Sequence, residues 1–215
     1  IIHQVYDELI AATDRLISHA QEEEVQAVEV ERATRQVELD PQVSIIQEAL
    51  DTGLPKLQLT SAQSAAAVLK EMLGDNEVPR EVQQLLLSVE WSVRFRDHLL
   101  TDSVVGEYGG PFQLQSQSVA PGSLQSRTEE GLTLTTEYGR SVTRWEDLSA
   151  RTILAMALNQ VAERPEEDQA RIFWMAGIYA IQRNLAREGR ELLIRASQSG
   201  EEFKDIIEVF FPSAS

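Results

Sequence analysis

The chain has 215 residues, no cysteine, 42% hydrophobic and 25% charged residues, and a formal net charge of −16. That length suits one or two domains with real cores, and the missing cysteine excludes disulfides, a thiolate nucleophile and a cysteine zinc site. Thirty-five acidic against nineteen basic residues repel phosphate backbones and anionic lipid, so neither nucleic acid nor a membrane is an expected partner.

The longest apolar run, Ile172 to Ile181, has ten residues, whereas a spanning helix needs about 20. No signal-peptide pattern is visible. The first residue is Ile1 rather than Met, so the sequence leaves targeting open; the lack of cysteine is consistent with a reducing, cytoplasmic compartment. Charge is uneven along the chain. Residues 1–50 carry eleven acids and three bases, a net −8, while residues 151–215 carry ten acids and eight bases, a net −2.

The first segment reads as helix. Val5, Leu9, Ala12 and Leu16 share one face, but His19, Glu23 and Gln26 interrupt the heptad before Val30, Ala33 and Val37 restore it, too early for a coiled coil. Glu22-Glu23-Glu24 is either an acidic docking or cation surface or a solvated face, and charge runs of this kind usually face water. Asp40 as cap and Pro41 in the first turn predict a helix that buries Val43, Ile46 and Leu50 and stops near Gly53-Leu54-Pro55. A third helix is expected from Thr60 or Ser61 through Ala65, Val68, Leu69 and Met72 to Gly74. Asp75-Asn76-Glu77 then reads as a turn, and Pro79 opens a fourth helix carrying Val82, Leu85, Leu86, Val89, Val93 and Leu100.

From Gly106 to Trp145 the period changes. Phe112 to Gln115 and Leu132 to Thr135 alternate, and Pro121-Gly122, Glu130-Gly131 and Tyr138-Gly139 mark turns. Up to four short antiparallel strands fit this stretch. It is too short for its own core and should pack on the helices or form a small barrel-like insert. Helices resume at a cap on Asp147 or Ser149, with Ile153, Leu154, Ala157, Leu158 and Val161 as the apolar stripe. Pro165 starts the next helix, with Glu166, Glu167 and Asp168 in its first turn; it is apolar nearly all round and therefore central. Asn184 ends it. A helix from about Arg187 to Ser199 and a short one carrying Phe203, Ile206, Ile207 and Phe210 follow, separated by Gly200.

The reading is thus mainly α: helical hairpins or a bundle with a small antiparallel β-meander insert. It has a helical region over 1–105, the insert over 106–146 and a helix pair over 147–215. In that last region Phe173, Gly177, Ala180, Gly189, Leu193 and Ala196 fall at the large and small positions of a tetratricopeptide-type repeat, which this stretch resembles over about one unit. Gly189 stands where that family usually has alanine, and Glu201 stands where its proline is expected. The resemblance implies close helix pairing and peptide or protein binding rather than catalysis.

Chemistry is sparse. His3, His19 and His98 have no metal-ligand spacing and read as surface or boundary residues. Gly106-Glu107-Tyr108-Gly109-Gly110 has no leading strand or following lysine and reads as a hinge or turn. No catalytic, cofactor or metal residue is assigned. Trp91, Phe95, Trp145, Trp174 and Tyr179 read as core, with an aromatic partner groove as the alternative. Arg183, Arg187 and Arg190 cluster at a helix join in an acidic chain and are the candidate partner-binding residues, for an acidic protein or peptide. Helix-end complementarity and local pairing with Glu188 and Glu191 would also account for them. The expected function is a non-enzymatic interaction or scaffolding module within a larger protein. The alternatives are a subunit that self-associates through its first helix, giving a homo-oligomer, and a hydrolase with an unrecognised acidic site.

Overall fold

The structure is a computed structural model that describes residues 39–74, 78–120 and 122–211. The chain divides into two compact units, residues 1–42 and residues 43–215. Of the first unit the described residues are 39–42, which are helical. The interrupted heptad, the Glu22–Glu24 run and the Asp75–Glu77 turn lie outside the described residues, as does Pro121.

Helix α1 is described over residues 39–53. Asp40 is itself helical, so it is not the flanking cap expected of it. Ile46 and Leu50 are buried, Val43 half-buried. The helix tightens into a 3-10 turn at Leu54–Lys56 and ends at Leu57, whose φ of 55° leaves helical space. Helix α2 (Thr60–Leu73) buries Ala62, Ala65, Ala66, Leu69 and Leu73, while the expected Val68 and Met72 are each 45% exposed. The buried residues keep i, i+3, i+4 spacing, so the helix is amphipathic as expected. Its inner face is the alanine face, one position round from the larger side chains.

Helix α3 (Arg80–Thr101) starts after Pro79 and buries Val82, Leu86, Val89, Trp91, Phe95 and Leu99. A single turn, α4 (Ser103–Gly106), leads to the β insert. There the expected single meander is two sheets. Strands β1 (Phe112–Gln113) and β2 (Val119–Ala120) pair with each other, and β3 (Ser123–Arg127), β4 (Gly131–Thr136) and β5 (Gly139–Arg144) form an antiparallel three-stranded sheet in sequence order. Leu132 and Leu134 alternate inward from β4 and are fully buried with Trp145 and Leu148. The insert is tied to helix α5 (Ala150–Ala157) by hydrogen bonds. Ser149 N donates to Gln113 O at 2.8 Å, and Gln113 N donates to Thr152 Oγ1 at 3.0 Å. Ser149, not Asp147, is the cap of α5: its side chain accepts from Thr152 N.

The C-terminal helices α6 (Glu166–Gln182), α7 (Ala186–Ser199) and α8 (Glu202–Phe210) follow the predicted punctuation. Asn184, at φ 61°, occupies the left-handed position after α6, and Leu185 N closes the turn on Ala180 O at 2.8 Å. Helices α3, α6 and α8 share an aromatic core. Trp174 stacks on Phe203 with centroids 4.8 Å apart, Trp91 meets Phe203 edge-on at 5.6 Å, and Phe95 stacks on Tyr179 at 4.3 Å. Arg80 at the start of α3 donates to the Glu208 and Val209 carbonyls at the end of α8, satisfying groups that a helix terminus leaves open. The protein is therefore mainly α with a small antiparallel β insert.

Helices α6 and α7 make the most extensive helix–helix contact among the described residues. Two glycines permit it. A Cβ on Gly177 would lie 2.8 Å from Leu193 Cγ and Cδ2. One on Gly189 would lie 2.6 Å from Ile181 Cγ1, 2.8 Å from Gly177 O and 2.9 Å from Ile181 N. Such separations are below any normal carbon contact, so each glycine is required by its neighbour.

Candidate functional site

The three candidate arginines line two different cavities. Arg183 is the last residue of the α6 turn, immediately before the left-handed Asn184. It lines a cavity of about 790 Å³ together with Leu50, Asp51, Leu54, Pro55, Gln115, Glu146, Gln182 and Asn184. Arg187 and Arg190 belong to the first turns of α7 and line a different groove, of about 690 Å³, with Ile181, Ala186, Glu191, Ile194 and Phe211. The turn at Asn184 separates them: four residues on, the chain is in another helix.

The α7 groove is mostly apolar. Ile181, Ile194 and Phe211 supply its hydrophobic surface, and the Arg190 guanidinium lies 5.4 Å from the centre of the Phe211 ring, a cation–π distance. Arg187 is 89% exposed and its Nε donates to Glu191 Oε1 at 3.2 Å. A solvent-exposed i, i+4 pair of this kind contributes about 0.3–0.5 kcal/mol, so Glu191 holds Arg187 weakly. Glu188, the other expected local partner, turns elsewhere and pairs with Arg151 of α5 at 3.0 Å. Backbone hydrogen bonding at the α7 N-terminus, and then Arg151, hold its carboxyl below the usual value.

A second polar cluster escaped the sequence reading. His98, expected at the surface or the boundary, is a half-buried residue whose side chain is 8% exposed, with Nε2 3.0 Å from Ala157 O and Nδ1 3.3 Å from Asp102 Oδ2. Arg164, from the segment between α5 and α6, donates to Asp102 Oδ1 at 2.6 Å. Arg127 of β3 reaches Leu99 O and Asp102 O at 2.5 and 2.7 Å. Burial pushes the imidazole below its ordinary value of 6.5. The Ala157 carbonyl and Asp102 oppose that, while Arg164 and Arg127 reinforce it. Each ring nitrogen faces an oxygen acceptor, Ala157 O or Asp102 Oδ2, and the cluster works as a tie joining the ends of α3 and α5, the β insert and the approach to α6. Its members are far apart in sequence, and no local pattern announces it.

Among the described residues, no three histidine or carboxylate side chains converge as a metal ion would require, and no described helix is long and apolar enough to cross a membrane. No family model matches the chain, and neither a curated protein nor a solved structure matches it.

Proposed function

We propose that the chain is a non-catalytic interaction module in which the α7 groove holds an acidic, amphipathic peptide from a partner protein. The observation that carries this is the composition of the groove: an apolar floor of Ile181, Ile194 and Phe211 with two guanidinium groups, Arg187 and Arg190, at its side. Apolar side chains of a peptide would fill the floor, and its carboxylates would pair with the arginines. Displacing Glu191 from Arg187 costs little, because that pair is exposed. The close α6–α7 pairing supplies a rigid wall for such a groove.

A second reading has support of its own. Residues 1–50 carry a net −8, so the first segment of a second copy offers the charge that this groove would take. The double reversal Arg187→Glu with Arg190→Glu tests the site. Partner capture in low salt, followed by sizing with light scattering, should be lost in the variant while its melting temperature stays unchanged. Raising ionic strength should mimic the reversal, since the Debye length is about 10 Å at 0.1 M salt. If a single partner protein is captured and the chain stays monomeric, the first reading stands; salt-sensitive self-association selects the second. Associations that survive the reversal refute both.

A further inference from the structure

The three-stranded sheet has two unlike edges. Strand β3 carries a bulge between Leu124 and Ser126 and lies against α4, and its Arg127 reaches the Leu99 and Asp102 carbonyls. Bulges and covering elements blunt a sheet edge. Strand β5 has neither. Its register with β4 runs unbroken from Thr136 and Gly139 to Gly131 and Arg144, and Gly139, Arg140, Ser141, Val142 and Arg144 are all exposed. Behind it the buried Leu132, Leu134 and Thr143 fix the strand on the core.

The register fixes which backbone groups are open. Thr128 and Gly131 exchange both hydrogen bonds across the β3–β4 turn, so along β4 Gly131, Thr133 and Thr135 face β3, while Leu132, Leu134 and Thr136 face β5. The partners of these last three, Thr143, Ser141 and Gly139, therefore bond to β4. The N–H and C=O of Arg140 and Val142 and the N–H of Arg144 point away from the sheet, and among the described residues nothing hydrogen-bonds to them. The same three residues, two apart, set their side chains on one face. Val142 is 68% exposed, and among the described residues Arg140 has no ion pair. Arg144 meets Glu146 at 3.3 Å in an exposed pair, and Lys56 reaches that same carboxylate at 3.7 Å, so Arg144 is released at little cost.

We infer that the edge of β5 takes an extended acidic peptide of a partner protein as an added antiparallel strand, with acids at i and i+4 opposite Arg140 and Arg144 and a β-branched residue at i+2 opposite Val142. Main-chain hydrogen bonds give such a strand its affinity and alternate side chains its specificity. Opposite charges across a strand pair are favourable and like charges are not. That rule disfavours a second copy of this chain: in the register that engages every open group, Arg140 of each copy would oppose Arg144 of the other. Glu129, Glu130 and Glu137 lie in the turns flanking β4, so the complementary acids are confined to the span between Arg140 and Arg144. The site is separate from the α7 groove and does not depend on the function proposed for it.

The test is titration of the full chain with the capped peptide acetyl-Thr-Glu-Thr-Val-Thr-Glu-Thr-amide, followed by calorimetry and amide resonances. The peptide should bind, and the amides of Arg140, Val142 and Arg144 should shift and exchange more slowly in its presence. N-methylation of its valine, whose N–H would face β5, should weaken binding about tenfold or more, whereas N-methylation of either threonine beside that valine should leave it within about twofold. Arg140→Glu with Arg144→Glu should also lose about tenfold or more, and should accept the peptide with lysines in place of its glutamates. Val142→Pro removes an outward N–H that the β4–β5 ladder does not use, and should abolish binding; circular dichroism and the melting temperature check that each variant keeps its fold. Absence of binding, or a loss at the N-methylated valine no greater than at the threonines, overturns the inference. So does failure of the charge swap, binding that is abolished by reversal of Arg187 and Arg190 instead, or a dimer of the chain that Val142→Pro dissolves.

Discussion

Replacing Gly189 by alanine adds one methyl group to the tightest point of the α6–α7 seam. In an unhindered helix interior that change stabilises by about 1 kcal/mol, because glycine is the poorer helix former. Here the new carbon meets Ile181 Cγ1 at 2.6 Å, Gly177 O at 2.8 Å and Ile181 N at 2.9 Å. Two of those three atoms are backbone and cannot rotate away, so α7 must move off α6. Overpacking a close contact costs about 1–3 kcal/mol. With backbone on the receiving side the upper half of that range applies, and the net expectation is a loss of about 1–2 kcal/mol. For a chain of this length that lowers the melting temperature by about 2–4 °C per kcal/mol. Gly177→Ala tests the same seam from the other side, where the obstacle is mainly the Leu193 side chain, 2.8 Å away, with Gly189 O at 3.0 Å. Because a side chain can be removed, a cycle with Leu193→Ala is informative. Leu193→Ala alone costs about 2–5 kcal/mol, and the double variant should lose less than the sum of the single changes. The assay is urea unfolding followed by far-ultraviolet circular dichroism. A Gly189→Ala variant as stable as the parent, or more so, would refute the geometry of the seam.

The polar tie around His98 yields two further expectations. The imidazole is held below 6.5 chiefly by burial, so the unfolded chain takes up its proton at a higher pH than the folded one does. Between those two values the unfolded state binds more protons, and stability falls as the pH is lowered through about 6.5, levelling off below the folded value. The urea midpoint should therefore decline from about pH 7.5 to 5.5, and His98→Gln should flatten that decline; parallel curves for the two proteins would exclude His98 as its source. Asp102→Asn removes the charge that meets Arg164 at 2.6 Å in a pair whose side chains are 18% and 20% exposed, and should cost about 1–3 kcal/mol in the same unfolding assay. Arg187→Ala, which breaks an exposed pair, should stay within about 0.5 kcal/mol of the parent; equal losses for the two variants would show that burial does not set the value of these pairs.

Much of the helical architecture was legible because its signals are local. Pro79, Ser149, Pro165, Asn184 and Gly200 mark boundaries by their own backbone chemistry, and the small residues Gly177 and Gly189 stand at the spacing of a close helix pair. What the sequence did not disclose depends on partners distant along the chain. The inner face of α2 is set largely by alanines whose small size reads weakly in an apolar pattern, so the expectation named Val68 and Met72 beside the buried Ala65 and Leu69 and left out Ala62 and Ala66. The alternation at Phe112 to Gln115 predicted a strand but not its partners, since Val119-Ala120 carries no alternation of its own and the contact with Ser149 crosses to the next helix. The partners of His98 were not legible, because Asp102 is its only near neighbour among them. Arg164 and Ala157 lie 62 and 59 positions from the residues they engage. The arginine cluster was visible as composition, while the division of its members between two cavities on either side of Asn184 was not legible from spacing.

The same turn makes the seam and the α7 groove one mechanical unit. Ile181 is the side chain against which a Gly189 methyl would press, and it is also part of the groove floor. The position of α7 on α6 therefore sets the width of the groove as well as the stability of the pair. A variant that forces the helices apart should weaken peptide capture even though Arg187 and Arg190 are untouched. Charge reversal at those arginines should weaken capture with the seam intact. Stability and binding would then fall together in Gly189→Ala and separate in the arginine variant. That contrast distinguishes a groove shaped by helix packing from a surface that attracts acidic chains by charge alone, because a purely electrostatic surface would be indifferent to the methyl group at residue 189.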